Sequence, residues 1–368
     1  MRPTIAILST KNLIHNILTL RSLAKNSKFV AMVKANAYGH GIRSVSLRIK
    51  DYVDMFGVAS IDEALILRKI GIKNDILLCE GVFSEEEFLI ASAENFQIVI
   101  HSEEQVQWLK NIHYLPNKIV IWFKVDSGMG RLGFNIENEE KMMHVKEIFD
   151  DLSKNKFLKE KIRLMSHFAC ADEKDHPLNL IQISRFEQFF SIIENDYGKI
   201  VKSFCNSAGI MNFPDQSYDF VRAGISMYGV NFCENKENTD LKSVMHLQAK
   251  IIAIKNLSKG EFVGYGATFQ ANEDKKIAIL SIGYGDGYSR TISGAPVMIN
   301  DEIFHVVGRV SMDMTAIDIT GNDDVRVGDW AVLWGEKLPI ENIAKYSKNS
   351  FYDLLASVQH RVKFQWAD

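Results

Sequence analysis

Between about residue 29 and residue 235, eight short apolar, β-branched runs alternate with longer segments of helical period. That alternation is what parallel strands demand, because each needs a long crossover, usually a helix, to return to the same end of the sheet. The runs are FVAMVK (29–34), MFGVAS (55–60), DILLCE (75–80), FQIVIH (96–101), KIVIWFKV (118–125), KIRLMSHF (161–168), KSFCN (202–206) and YDFVR (218–222). Ser60 with Glu63, Ser84 with Glu87 and Ser102 with Gln105 match the capping box at helix starts, where hydroxyl and N3 side chain satisfy each other's orphan amides. Eight such units predict a (β/α)8 barrel. An open doubly wound sheet shows the same alternation, and counting strands does not demonstrate closure.

After residue 236 the texture changes to alternating strands and glycine turns: HLQAKIIAI, EFVGYGATF, KIAILSIGYGDGY, PVMIN, EIFHVVGRVSMDMTAIDIT and WAVLWG, with one helical stretch near 340–358. The chain of 368 residues thus divides into a barrel over 9–235 and a mainly β domain over 236–368. TIAIL at 4–8, in the N-terminal segment 1–8, is a candidate strand of that second domain. A net charge of −3 without long like-charge runs argues against nucleic acid as a partner. The four cysteines form no CxxC pair, which fits a reducing compartment and signals neither a disulfide scaffold nor a zinc knuckle. No stretch of about 18 apolar residues is present and the first apolar run is too short for a signal peptide, so a cytoplasmic protein without a membrane partner is expected.

In a parallel barrel, reactive side chains project from the C-terminal ends of strands. The first run ends in Val33-Lys34-Ala35-Asn36-Ala37-Tyr38-Gly39-His40-Gly41, with a lysine where an apolar strand opens into a turn of small residues. Partial desolvation there lowers a lysine's pKa and favours the neutral amine needed for attack on a carbonyl cofactor. A lone strand-end lysine is ordinarily one that snorkels to solvent; its neighbours change that.

The run VKANAYGHG resembles the cofactor-attachment motif of the alanine racemase family, fold-type III pyridoxal-phosphate enzymes, and similar motifs follow in order along essentially the whole chain. The resemblance implies that Lys34 holds pyridoxal phosphate covalently and acts as one catalytic base, with Tyr38 donating to the phosphate. Asp126-Ser127-Gly128-Met129-Gly130-Arg131-Leu132-Gly133 is similar to the family's DTGMGRLG segment, whose arginine, here Arg131, reaches the cofactor's phenolic oxygen and the substrate carboxylate. Lys124 aligns with a lysine carbamylated in some members. Such a change would turn a cation into an anion and orient Arg131.

Ser166-His167-Phe168-Ala169-Cys170-Ala171-Asp172, with Asp175 and His176, has a weak metal-like spacing, but no CxxC or HExxH pair supports it and no metal is expected. The family resemblance places His167 under the cofactor ring. Ser207, after the seventh strand, and Gly224 and Ile225, after the eighth, are phosphate candidates on the resemblance and on the general habit of barrels. The resemblance puts Arg222 opposite the pyridine nitrogen. An arginine can only donate, so that nitrogen stays unprotonated and the ring is a weaker electron sink, which favours rapid return of the proton and hence racemisation.

Racemisation needs an acid/base group on each face of the planar carbon. Val263-Gly264-Tyr265-Gly266-Ala267-Thr268-Phe269 is similar to the family's SYGATY segment, which makes Tyr265 the opposite base, supported by His167 and Arg222. Tyr284 and Met312, with Asp313 nearby, are the implied entrance and substrate-carboxylate contacts. In the family these residues enter the partner's barrel, so a head-to-tail homodimer with two shared sites is implied. His360-Arg361-Val362-Lys363 departs from the more frequent Tyr-Arg-Val-Pro, and His360 is the candidate to replace a phosphate-contacting tyrosine.

The activity implied is interconversion of L- and D-alanine, supplying D-alanine for peptidoglycan. A serine or broad-specificity racemase shares the same site, since side-chain choice is a matter of pocket volume. A non-catalytic pyridoxal-phosphate-binding protein is the reading from another class; such single-barrel proteins lack a second domain and an equivalent of Tyr265.

Overall fold

The eight expected runs all form strands in the computed structural model, which describes residues 2–233 and 239–367. An additional strand, β1 (Thr4–Ser9), precedes them. The barrel strands are β2 (Lys28–Met32), β3 (Met55–Val58), β4 (Asp75–Leu78), β5 (Gln97–Ile100), β6 (Ile121–Asp126), β8 (Arg163–Met165), β9 (Lys202–Ser203) and β10 (Phe220–Ala223), with a two-residue β7 (Phe134–Asn135) against the end of β6. Their order is β2-β3-β4-β5-β6-β8-β9-β10, all neighbours are parallel, and β10 pairs back onto β2 with Arg222 opposite Val30. Closure removes both sheet edges and settles the barrel against the open sheet.

Residues 234–238 lie outside the described residues, and the expected boundary at 235/236 falls among them. Beyond it run β11 (Met245–Leu257), β12 (Phe262–Val263), β13 (Phe269–Gln270), β14 (Lys275–Leu280), β15 (Pro296–Ile299), β16 (Glu302–Val306), β17 (Thr315–Asp318), β18 (Trp330–Trp334) and β19 (Lys363–Ala367). The long β11 bends at two register shifts and pairs with β14, β18 and β1, so that β11, β14, β17, β16, β15 and β18 close a second ring. Strand β1, which holds TIAIL, lies antiparallel to β11 and parallel to β19. Two short helices, Ile340–Ala344 and Phe351–Ala356, stand where one helical stretch was expected.

The capping boxes differ from expectation. Ser60 and Ser84 make no side-chain cap, and only Ser102 accepts the Gln105 amide, at 3.4 Å. The N3 side chains instead reach back four residues: Glu63 to the Ala59 amide, Glu87 to Phe83 and Gln105 to His101, at 2.7 to 2.9 Å. Capping is therefore displaced onto the residue before the serine. That residue ends the incoming segment and has an orphan N–H of its own.

Candidate active site

Strand parity selects the residues that meet at the barrel mouth. Along β2, Phe29, Ala31 and Val33 pack outward against the helices, while Val30 and Met32 join an inner layer with Met55, Leu77, Val99, Trp122, Met165 and Phe220. Side chains alternate with a period of two, so two residues beyond each inner one the same face continues. Lys34 follows Met32, Cys79 follows Leu77, Lys124 follows Trp122, His167 follows Met165 and Arg222 follows Phe220. All five line one cleft of about 760 Å³, within the usual range for small-molecule sites.

The turn after Lys34 is left-handed. Ala35, Asn36, Ala37 and Tyr38 all have φ between 51° and 56°, followed by Gly39 at 82°. Non-glycine residues there cost roughly 1–2 kcal/mol each, and such strain concentrates where function over-determines the backbone. The turn is held by the Ala37 amide on Val33 O (2.8 Å), the Gly41 amide on Asn36 O (2.9 Å) and the Ile42 amide on Asn36 Oδ1 (3.0 Å). Gly39 is needed for space as well as for its φ: a Cβ there would lie 1.9 Å from Leu355 O in the helix Phe351–Ala356. Lys34 itself is one-third exposed, with Nζ 3.7 Å from Glu80 Oε1.

Arg222 is buried and donates to Ser203 Oγ, Ser166 O (2.6 Å) and Phe204 O (3.1 Å). Burial pushes its pKa down to about 10, which leaves it charged at neutral pH. Its Nη2 also lies 3.2 Å from His167 Nδ1. Because the guanidinium can only donate, Nδ1 accepts and Nε2 carries the imidazole proton. Burial, and then the charges of Arg222 and Lys124, hold His167 well below the usual imidazole range, so it is neutral. Lys124 is pushed down to about 8 by burial first, then by Arg222 and Arg131. Arg131 lines the same cleft from an exposed position. Its loop is fixed by the Asp126 carboxylate, which accepts from the amides of Gly128, Met129 and Gly130 at 2.8 to 2.9 Å.

Ser207, Gly224, Ile225 and Tyr38 line the cleft next to β10. The Gly224 amide donates to Ser207 Oγ at 2.8 Å. A Cβ on Gly224 would sit 2.5 Å from the Tyr38 hydroxyl, so this wall is kept open by a missing side chain. With Lys34 at the mouth, these hydroxyls and amides fit a cofactor that carries a carbonyl and an anionic group. His360, expected to stand in for a tyrosine here, does not line the cleft. It is exposed on the turn before β19, and Tyr352 lines the cleft instead, its ring 6.3 Å from that of Tyr38. The cause is local: the helix Phe351–Ala356 packs on the Lys34 turn, and the chain leaves that contact before residue 360.

Sequence reasoning missed Cys79, Glu80 and Tyr352. Cys79 was within reach of strand parity, whereas Glu80 and Tyr352 depend on contacts no local pattern encodes. His176, weighed as a metal ligand, caps the helix Pro177–Tyr197 by accepting the Leu178 amide at 3.2 Å.

Tyr265, Tyr284, Met312 and Asp313 lie outside this cleft. The expected strand around Tyr265 is instead a 3-10 turn, Tyr265–Ala267, between β12 and β13, and it leaves Tyr265 65% exposed. Met312 is 52% exposed and Tyr284 37%. The Tyr284 and Met312 loops are tied together: the Tyr284 amide donates to Ser311 O (3.1 Å) and the Gly285 amide to Met312 O (2.9 Å). A buried Asp286 anchors them, with Oδ2 2.8 Å from Arg2 and Oδ1 2.9 Å from Arg361 Nε. Both arginines also pair with Asp313.

The family model described as "Alanine racemase, N-terminal domain" matches residues 8–232, and "Alanine racemase, C-terminal domain" matches residues 244–366. The chain is 41% identical over 370 residues to an alanine racemase of Actinobacillus succinogenes, covering 100% of both chains. It is 41% identical over 372 residues to one of Coxiella burnetii, covering 99% of each. Among solved structures, the biosynthetic alanine racemase of Pseudomonas aeruginosa superimposes with a TM-score of 0.93 at 35% identity, and the alanine racemase of Acinetobacter baumannii with 0.90 at 38%, each covering 100% of both chains. Two domain matches in the same order as the two closed sheets, and relatives alike from end to end, show that the chain belongs to the alanine racemase family.

Proposed function

We propose that the protein is a pyridoxal-phosphate-dependent racemase that interconverts L- and D-alanine in the cytoplasm and so supplies D-alanine for peptidoglycan. The observation that carries this reading is the convergence on one inner barrel face of Lys34, Arg222 and a wall left open at Gly224. Lys34 Nζ would hold the cofactor's aldehyde carbon until the substrate's amine takes its place there and frees the lysine, while the Tyr38 and Ser207 hydroxyls and the amides of Gly224 and Ile225 would hold the phosphate. When bound, the cofactor supplies an electron sink that acidifies the substrate's α-carbon. Lys34 Nζ moves the α-proton on one face. On the other, the proton moves to and from the hydroxyl of the partner subunit's Tyr265, whose negative form is stabilised by the Nε2–H of His167. Arg131 and the amide of the partner subunit's Met312 hold the substrate carboxylate, with the partner's Tyr284 and the partner's Asp313 around it.

Lys124 is the proposed carbamylation site. Only a neutral amine adds carbon dioxide, and a pKa of about 8 leaves roughly a tenth of it neutral at pH 7. A carbamate there would place an anion among Arg131, Arg222 and Lys34.

Purified protein incubated with L-alanine in heavy water is expected to incorporate deuterium at the α-carbon and to yield both enantiomers. Borohydride trapping of the holoprotein is expected to label Lys34. Tyr265→Phe should slow exchange from one enantiomer by at least about a hundredfold while sparing the other. Labelling of another lysine, or equal loss for both enantiomers, would overturn the assignment.

A further inference from the structure

Glu63 stands at the third position of the helix Ile61–Lys69, and its two carboxylate oxygens serve different strand ends. Oε2 accepts the Ala59 amide at 2.9 Å, just after β3, and Oε1 accepts the Ala35 amide at 2.7 Å, just after Lys34. The first contact is shared with Glu87 and Gln105, which cap the amides of Phe83 and His101 in the same way. Of the three, Glu63 alone also takes the amide that follows Lys34.

That amide opens the left-handed turn. Within the turn, Val33 O accepts from Ala37 and Ala35 O from Gly39, so the donors satisfied from inside begin at Ala37. Ala35 N–H is thus an orphan of the kind found at the start of any helical turn, and a carboxylate is the strongest acceptor available for it. The backbone at 35–38 is costly for alanine, asparagine and tyrosine, so it persists only where contacts hold it. We infer that Glu63 is a positioning residue for Lys34: its carboxylate ties the first peptide of the left-handed turn to the end of β3 and thereby fixes the strand end from which the amine projects. This rests on the proposed role of Lys34.

The test compares Glu63→Ala and Glu63→Gln with Glu87→Ala, which removes the same type of cap elsewhere in the barrel. In cofactor-free protein, amide hydrogen exchange of residues 33–41 is expected to quicken about tenfold or more in Glu63→Ala and to stay at the wild-type rate in Glu87→Ala. In holoprotein, Glu63→Ala should release pyridoxal phosphate faster and lose kcat about tenfold, with the KM for alanine within twofold, as expected when a reacting group is misplaced. Glu63→Gln keeps one acceptor for two amides and should fall between; if Glu63→Ala does not fold, the exchange of Glu63→Gln decides. Unchanged exchange at 33–41, or an equal loss of kcat in Glu87→Ala, overturns the inference. Borohydride labelling separates the two ideas. A label away from Lys34 in wild-type protein defeats the assignment of Lys34, whereas a label at Lys34 together with unchanged exchange defeats only the role of Glu63.

Discussion

Lys124 is 8% exposed on the inner face of the barrel, with Arg222 and Arg131 as its leading charged neighbours, and among the described residues no carboxylate pairs with it. A shift from 10.5 to about 8 means that the folded state disfavours the charged form by about 3 kcal/mol. The sign follows from proton counts. Below pH 8 the amine is charged in both folded and unfolded chains and the penalty is present in full; between about 8 and 10.5 the unfolded chain binds more protons, so raising the pH restores stability. Lys124→Met in bicarbonate-free buffer is therefore expected to melt at a higher temperature than wild type at pH 7, with the difference shrinking steadily towards pH 10.5. A difference independent of pH would mean that the charge of Lys124 is not what the methionine relieves. The same variant should lose activity if a carbamate at this position orients Arg131. A gain in stability with a loss of turnover is what a group kept for its site, against the interest of the fold, should show.

At the level of elements, Asp286 does for the second domain what no single strand does. Its carboxylate accepts the Gly283 amide at 2.9 Å and meets Arg2 and Arg361, which come from opposite ends of the chain, and through them Asp313. The arginines are about one-third exposed, so their charges are partly screened, while Asp286 itself is fully buried. Asp286→Ala is expected to cost about 2–3 kcal/mol, below the 3–5 of a fully buried pair, read as a lowered urea midpoint with unchanged slope. Proteolysis near residues 283–313 should rise with it. None of this was visible in the sequence, where GYGDGY resembles an ordinary hairpin. The eight barrel strands were legible because strands buried on both faces are written as unbroken apolar runs. Closure was not, because the β2–β10 pairing joins residues nearly two hundred positions apart. The left-handed turn was hidden for another reason: of its four non-glycine residues only asparagine tolerates that region readily, and alanine and tyrosine are held there by the surrounding packing. Lys34, Arg222 and His167 were found through motif resemblance, yet strand parity alone would have placed all three on one face. His360 went astray because a motif aligned by spacing does not record which residue the preceding helix, Phe351–Ala356, brings to the cleft.

For the whole molecule, the question is how a cleft that holds Lys34 meets a phenol on the exposed side of the other domain. Within one chain the two do not meet: Tyr265 is outside the cleft, and Phe262, Tyr265, Met312 and Met314 are all large, apolar and at least 46% exposed. Exposed apolar groups of this kind mark association surfaces, and a symmetric pair of chains would complete two sites at once. The consequence is quantitative. A chain carrying Lys34→Ala and a chain carrying Tyr265→Ala are each expected to be inactive as homodimers. If the sites are shared between subunits, a hybrid dimer has one site with both lesions and one with neither. After unfolding and refolding an equal mixture, half the dimers are hybrids and each has one intact site of two, so about a quarter of wild-type activity should return. If each site is built within one chain, every site in the hybrid carries a lesion and nothing returns. Differently tagged chains, captured through one tag and probed for the other, establish that hybrids have formed. Recovery near a quarter supports the shared site, and its absence from proven hybrids excludes it.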